Sequence, residues 1–143
     1  MVALVSLVVK LPVMNHKPIP PAVDAVARQV VDAALRVHSA LGPGLLEGVY
    51  EVCLAYELTR RGLKVERQVS LPVVYEGVRL DAGLRLDLLV EGCLVVELKA
   101  VEAVQPLHLA QVLTYLKLSG HRLGLLINFN VARIRDGIQR VAL

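Results

Sequence analysis

The spacing of the apolar residues changes once along this chain, and the change limits the folds that it can adopt. As far as about residue 61, apolar residues recur every three or four positions, which predicts one helix over residues 22–41 and a second over about 45–61. From Val65 to Tyr75 they occupy alternate positions, which is the spacing of a β-strand. We therefore expect two helices to precede the first strand.

The rest of the chain predicts more strands with one helix between them. Two strands are expected at residues 84–89 and 93–101, and a helix at 106–119, with proline at its start and glycine just past its end. A continuous apolar run at 123–128 is typical of a central buried strand, and residues 138–143 could add another. The order predicts a mixed α/β fold with one mixed β-sheet flanked by helices.

Composition favours one domain with a large core. The chain has 143 residues, 55% of them hydrophobic, and a mean hydropathy of +0.57. So apolar a composition also favours a homo-oligomer, such as a homodimer. We expect residues 21–143 to form the domain and residues 1–20 to be an N-terminal extension, either flexible or an extra strand. The apolar run of this extension is broken at Lys10, well short of the roughly 20 residues that span a bilayer, so no membrane partner is expected.

The net charge and the cysteines bear on the binding partners and on the cellular location. The net charge of +3 permits contact with nucleic acid but does not argue for it, because no run of Lys or Arg stands out. Cys53 and Cys93 are far apart in the chain and lack the spacing of metal ligands. Lone cysteines in an apolar chain are usually reduced core residues, which favours a cytoplasmic location.

The stretch RLDLLVEGCLVVELK, residues 85–99, is very apolar yet contains charged residues. Buried charges are costly unless they are paired or bind a metal, so these either lie on a wet face of the sheet or form a site. The charges flanking the predicted hairpin loop are Arg85, Asp87, Glu97 and Lys99.

The length of the hairpin loop decides whether these charges share a face, because side chains alternate along a strand. A two-residue loop at 91–92 would turn Asp87 away from Glu97. A three-residue loop at 90–92 places all four charges on one face, with Asp87 and Glu97 as diagonal neighbours roughly 7–8 Å apart. We prefer the longer loop, because Gly92 suits its left-handed last position and the large aliphatics then face the core. These aliphatics are Leu84, Leu86, Leu88, Leu94, Val96 and Leu98.

Two carboxylates on one face could hold a divalent cation, whereas the alternative is a salt-bridged polar face of a half-exposed sheet. Mg²⁺ takes oxygen ligands and keeps several waters. It can lower the pKa of water and stabilise charge on a phosphate, and a nearby lysine can support the attacking water or the transition state. The clustering of the charges favours a phosphodiesterase site.

The pattern of Asp87 followed by Glu97, Leu98 and Lys99 resembles the signature of the PD-(D/E)XK nuclease superfamily. Two further motifs strengthen the resemblance. GLLEGVY, residues 44–50, with VHSALGPG leading into it, is similar to the motif of the GxxExxY protein family within that superfamily. HLAQVLTYL, residues 108–116, is similar to the QxxxY motif of RecB-like nucleases.

The resemblance covers roughly residues 24–143 and implies a restriction-endonuclease-like core. It implies a metal site made by Asp87, Glu97 and the backbone carbonyl of Leu98, with Lys99 as the catalytic lysine. Glu47 matches the acid of the family motif. Glu47 could contact the metal ligands without binding the metal, it could be an additional ligand, or it could be only a favourable charge at a helix start.

The third predicted helix carries three candidates on one face. The resemblance implies that Gln111 orients the site or a substrate phosphate. Tyr115 is four residues further on and therefore shares its face. His108, one turn before Gln111, could reach the substrate.

Three more residues have a structural and a functional alternative. Tyr50 is either a packing residue with a satisfied hydroxyl, which is the commoner case, or a part of the site. His38, near the end of the first helix, either interacts with the helix dipole or faces the site. Arg85 either contacts a phosphate or pairs with Glu97.

The sequence therefore predicts a metal-dependent nuclease that hydrolyses phosphodiester bonds in DNA with Mg²⁺ or Mn²⁺. The alternative is a catalytically silent nucleic-acid-binding or assembly module on the same fold. The intact carboxylate pair and lysine favour the enzyme. Aromatic residues are 3% of the chain, so base stacking is not expected to drive binding, and phosphate contacts fit better.

Overall fold

A computed structural model describes residues 17–143. The elements in chain order are helices α1 (Pro21–Leu41) and α2 (Glu47–Arg60), strands β1 (Val65–Ser70), β2 (Val73–Tyr75), β3 (Val78–Leu80), β4 (Arg85–Val90) and β5 (Leu94–Lys99), helix α3 (Pro106–Ser119), strand β6 (Leu123–Asn128), a short 3-10 helix (Ile134–Gly137) and strand β7 (Ile138–Ala142). The three predicted helices and the possible last strand are confirmed. Most of the predicted N-terminal extension, residues 1–16, lies outside the described residues.

Five strands form one mixed sheet in the order β1-β4-β5-β6-β7. The β5–β6 pair is parallel and is connected through α3, whereas the other neighbours are antiparallel. Parallel strands need such a crossover, which is why α3 covers one face of the sheet. The predicted mixed α/β fold with one main sheet flanked by helices is confirmed.

The prediction of one strand from Val65 to Tyr75 is wrong. Strand β1 ends at Ser70, and β2 pairs with β3 in a separate two-stranded hairpin. Pro72 lies between β1 and β2 and has no N–H to donate to a ladder, which explains the break. Glu76 and Gly77, both with positive φ, form the hairpin turn.

Apolar side chains pack on both faces of the sheet. On one face, Leu88, Val96 and Leu98 pack with residues of α1 and α2. On the other, Leu89 and Val95 pack under α3. The prediction that all the hairpin aliphatics share one face is therefore wrong for Leu84 and Leu86, which pack on the α3 side. Cys53 and Cys93 are free thiols, half-buried against the α1 side.

Over residues 17–143, no helix is both long enough and apolar enough to cross a membrane.

Candidate active site

The hairpin of β4 and β5 places two carboxylates opposite each other. Its ladder runs from Val90↔Leu94 to Leu88↔Val96, and one further step in the same register sets Asp87 directly opposite Glu97. The predicted loop at 90–92 is wrong by one position, because residues 91–93 connect the strands. The register therefore differs by two residues, an even number, so the carboxylates still share a face but are directly opposed rather than diagonal.

A left-handed turn explains the position of this loop. Glu91 and Gly92 have φ values of 53° and 64°, and the Cys93 N–H donates to the Val90 carbonyl at 3.1 Å. Two successive residues with positive φ form the type of turn whose twist suits a tight hairpin. Gly92 is therefore the second left-handed residue of the turn rather than the last residue of the loop.

The two carboxylates replace ladder hydrogen bonds where the strands stop pairing. The Asp87 N–H donates to Glu97 Oε1 at 3.0 Å, and the Leu98 N–H donates to Asp87 Oδ2 at 2.9 Å. Each side chain thus reaches the backbone of the opposite strand through one carboxylate oxygen, and its second oxygen takes no part in these two hydrogen bonds. The result is an open seam between β4 and β5, defined by Asp87, Glu97 and Leu98.

The backbone carbonyl of Leu98 points towards the same seam. The Lys99 carbonyl accepts a hydrogen bond from the Phe129 N–H at 2.9 Å, so the backbone groups of Lys99 point towards β6. Successive residues of a strand direct their backbone groups to opposite sides, so those of Leu98 point towards β4. The Leu98 N–H bond to Asp87 agrees with this direction.

The four charges of the hairpin differ in exposure, and Glu97 is the most buried of them. Glu97 is only 7% exposed, and Asp87 is half-buried. Burial, reinforced by the charge of Asp87, raises the pKa of Glu97 to about 8. Burial also raises the pKa of Asp87, opposed by the Leu98 N–H. Two buried like charges repel, so without a cation the pair favours holding a proton.

This raised pKa predicts an unusual pH dependence of stability for the metal-free protein. Between about pH 4.5 and 8, folded Glu97 holds a proton that the unfolded chain has released, so the free energy of unfolding falls as pH rises. We expect a loss of at least about 1 kcal/mol across this window. Urea unfolding in EDTA at several pH values measures it. A rise in stability attributable to Glu97 across the window would contradict the raised pKa.

Lys99 and Glu47 lie within electrostatic range of the carboxylate pair. The Lys99 ammonium lowers the pKa of Glu47, Asp87 and Glu97, opposing the larger effect of burial in each case. Glu47 begins α2 and is half-buried, and the charge of Asp87 raises its pKa further. Glu47 thus belongs to the same charged cluster as Asp87 and Lys99. This placement favours a role in the site over a role as a helix-start charge alone.

Tyr50 stabilises the connection between α1 and α2, which precedes Glu47. Its buried ring stacks on Phe129 with centroids 4.5 Å apart. Its hydroxyl donates to the Gly42 carbonyl at 2.6 Å and accepts the Leu45 N–H at 3.2 Å. The tyrosine therefore ties the α1–α2 connection to the start of α2, and its role here is packing with a satisfied hydroxyl.

Helix α3 presents one face to the cluster. The charges of Glu97 and Asp87 add to burial in raising the pKa of Tyr115, and burial and Lys99 lower the pKa of His108. Both residues therefore lie near the seam. Gln111 lies between them along the same helix face and is exposed. His108 also accepts the Gln105 N–H through Nδ1 at 3.0 Å, which caps the helix.

Two candidates have other surroundings. His38 is buried, with Nε2 2.8 Å from the Val131 carbonyl and its ring 6.4 Å from that of Phe129, in the packing on the α1 side. Both contacts are structural. Arg85 is exposed at the start of β4, and among the described residues no ion pair joins it to Glu97.

Sequence reasoning missed Glu51 and Gln68. Glu51 is buried on α2 and accepts hydrogen bonds from Arg67 at 3.0 and 3.2 Å and from Gln68 at 2.7 Å. Its spacing of four from Glu47 puts both acids on one helix face, a signal that could have found it. Nothing in the local sequence distinguishes Gln68 from an ordinary strand residue.

The donor set fits a hard divalent cation. Within residues 17–143 no three His, Cys, Asp or Glu side chains converge closely enough to hold a metal by themselves. A cation here would therefore combine Asp87 Oδ1 and the second oxygen of Glu97 with the Leu98 carbonyl and water. Few carboxylates and several waters are the ligands that Mg²⁺ prefers.

Comparison with known families agrees with this geometry. The family model of the PD-(D/E)XK nuclease superfamily matches residues 24–141. The chain belongs to this superfamily, whose members are generally nucleases that use divalent metals. No curated protein and no solved structure matches the chain. Membership of the GxxExxY family stays a prediction from residues 44–50.

Proposed function

We propose that this protein is a divalent-metal-dependent nuclease that hydrolyses phosphodiester bonds in DNA. The observation that supports it best is the open seam. Asp87 and Glu97 oppose each other there, each bonded to a backbone N–H across the gap, with Lys99 in electrostatic range. Buried like charges are costly, and a dication is the partner that would remove the cost.

Asp87, Glu97 and the Leu98 carbonyl would hold the ion, Mg²⁺ or Mn²⁺, and Glu47 is the next nearest acid in the cluster. When bound, such an ion stabilises charge on a phosphate and lowers the pKa of water. Glu51 forms an ion pair with Arg67 at 3.0 Å, so we do not assign it as a ligand.

Lys99 supplies the positive charge on the protein side. Lys99 is half-buried, and its ammonium, within electrostatic range of the carboxylates, would donate to the attacking water or to a phosphate oxygen on which negative charge grows. Such a donor is more effective in a partly desolvated site than in water. Gln111 is exposed on the α3 face that borders the seam, so its amide would donate to a substrate phosphate.

Backbone contact is proposed as the main source of affinity for the substrate. The mild net charge of +3 suits phosphate contacts, and the few aromatic side chains offer little stacking surface. We therefore expect binding that weakens as salt increases and that depends little on base sequence.

A labelled panel of single-stranded, duplex and flapped DNA, with RNA alongside, tests the proposal. We expect the wild type to cleave at least one DNA in Mg²⁺ or Mn²⁺, and EDTA to abolish cleavage. Binding that survives EDTA, with no cleavage of any substrate, would instead identify a silent binding module. Cleavage confined to RNA would correct the substrate class while keeping the mechanism.

A further inference from the structure

Gln68 has a left-handed backbone conformation in the middle of a strand. Its φ is +53°, although it is not a glycine. The β1–β4 ladder runs from Arg67↔Leu88 to Val69↔Leu86, so Gln68 lies opposite Asp87 without a ladder pair. The Asp87 N–H points the other way, towards β5, where it donates to Glu97 Oε1, so only side chains connect Gln68 with Asp87.

The conformation of Gln68 is not explained by a turn. The other described non-glycine residues with positive φ are Glu76 and Glu91, which occupy hairpin turns that require it. Inside a strand such a conformation costs energy and persists only where surrounding contacts enforce it. Strain of this kind clusters at functional sites.

The side chain of Gln68 connects α2 to the carboxylate pair. Its Nε2 donates to Glu51 Oε1 at 2.7 Å and lies 3.4 Å from Asp87 Oδ1. Glu51 is itself held by Arg67. One chain of contacts thus runs from the buried Glu51 of α2, through Gln68 on the edge strand, to Asp87 Oδ1.

We propose that Gln68 is a positioning residue that, held by Glu51, orients the carboxylate of Asp87 for a divalent cation. Asp87 Oδ2 is fixed by the Leu98 N–H, and a second donor at Oδ1 fixes the plane of the carboxylate. An amide does this without adding a positive charge that would repel a dication, as a lysine or arginine would. This inference rests on the proposed function and deepens it.

The Gln68→Gly variant tests the inference, because glycine accepts a positive φ and lacks the amide. We expect its affinity for Mn²⁺, measured by calorimetric titration, to fall about 10-fold or more, as is usual when a residue that orients a metal ligand is removed. Its melting temperature should stay level or rise. Glu76→Gly makes the same backbone change in an exposed turn and should bind Mn²⁺ like the wild type.

A double-mutant cycle tests whether Gln68 and Glu51 act together. If they do, Glu51→Ala combined with Gln68→Gly should weaken Mn²⁺ binding no more than either change alone. Gln68→Asn provides a second variant: asparagine tolerates the left-handed conformation, and its shorter side chain cannot connect the two carboxylates. It should show the same loss.

Two results would overturn the inference, and a third bears on the proposed function. Gln68→Gly that binds Mn²⁺ within about twofold of the wild type would show that the amide does not orient Asp87. Fully additive losses in the cycle would show that Glu51 does not hold it. A wild type that binds no Mn²⁺ would contradict the metal site itself, and with it any role in positioning a ligand.

Discussion

The Lys99→Met variant is expected to lose about 10³-fold in cleavage rate while binding Mn²⁺ at least as tightly as the wild type. The ammonium contributes a positive charge close to Asp87 and Glu97, where it opposes the effect of burial on their pKa values. Its removal relieves repulsion with a bound dication, so metal affinity should hold or increase. Its removal also deprives the reacting phosphate of a donor.

Cleavage rate and Mn²⁺ titration on one preparation measure both effects. Lys117→Met is the matched control, since Lys117 lies exposed in the last turn of α3 and carries the same charge. This control should retain both properties. Metal binding that disappears together with cleavage in Lys99→Met would show that the lysine maintains the site's structure instead of acting on the substrate.

The Glu97→Gln variant is expected to lose metal binding and cleavage, and yet to be more stable than the wild type without metal. Glutamine keeps an oxygen that can accept the Asp87 N–H but removes one of two repelling buried charges. Near pH 8 we expect a gain of about 1–3 kcal/mol in the free energy of unfolding. A gain in stability with a loss of function is typical of strained active sites.

Urea unfolding in EDTA, repeated with Mn²⁺, tests this expectation. The fall in stability with rising pH should largely disappear in Glu97→Gln, and Mn²⁺ should stabilise the wild type but not the variant. Glu76→Gln, an exposed glutamate in the β2–β3 turn, should behave as the wild type. A variant less stable than the wild type at pH 8 would contradict the repulsion inferred for the pair.

The helices could be predicted from the sequence because a local pattern determines each of them. The repeating apolar residues of α1 and the proline and glycine that bound α3 were sufficient to place both helices. The position of the hairpin loop at residues 91–93 could not be predicted, because it depends on Glu91 adopting a left-handed conformation that its residue type does not favour. The face shared by the carboxylates was still predicted, since the error in register was an even number of residues.

The surroundings of the site were less predictable, because tertiary packing decides them. Alternation in the hairpin gave no sign that Glu97 would be buried. Gln68 could not be found, because its contacts with Glu51 and Asp87 join residues 17 and 19 positions apart. His38 shows the opposite case, a residue of catalytic type whose contacts are structural.

The most direct test of the metal-dependent nuclease site is a comparison of three preparations in parallel: wild type, Lys99→Met and Glu97→Gln. Each is titrated with Mn²⁺ and assayed on the same labelled DNA. The wild type should bind and cleave, Lys99→Met should bind without cleaving, and Glu97→Gln should do neither. Equal cleavage by all three would contradict the assignment of catalysis to the seam between β4 and β5.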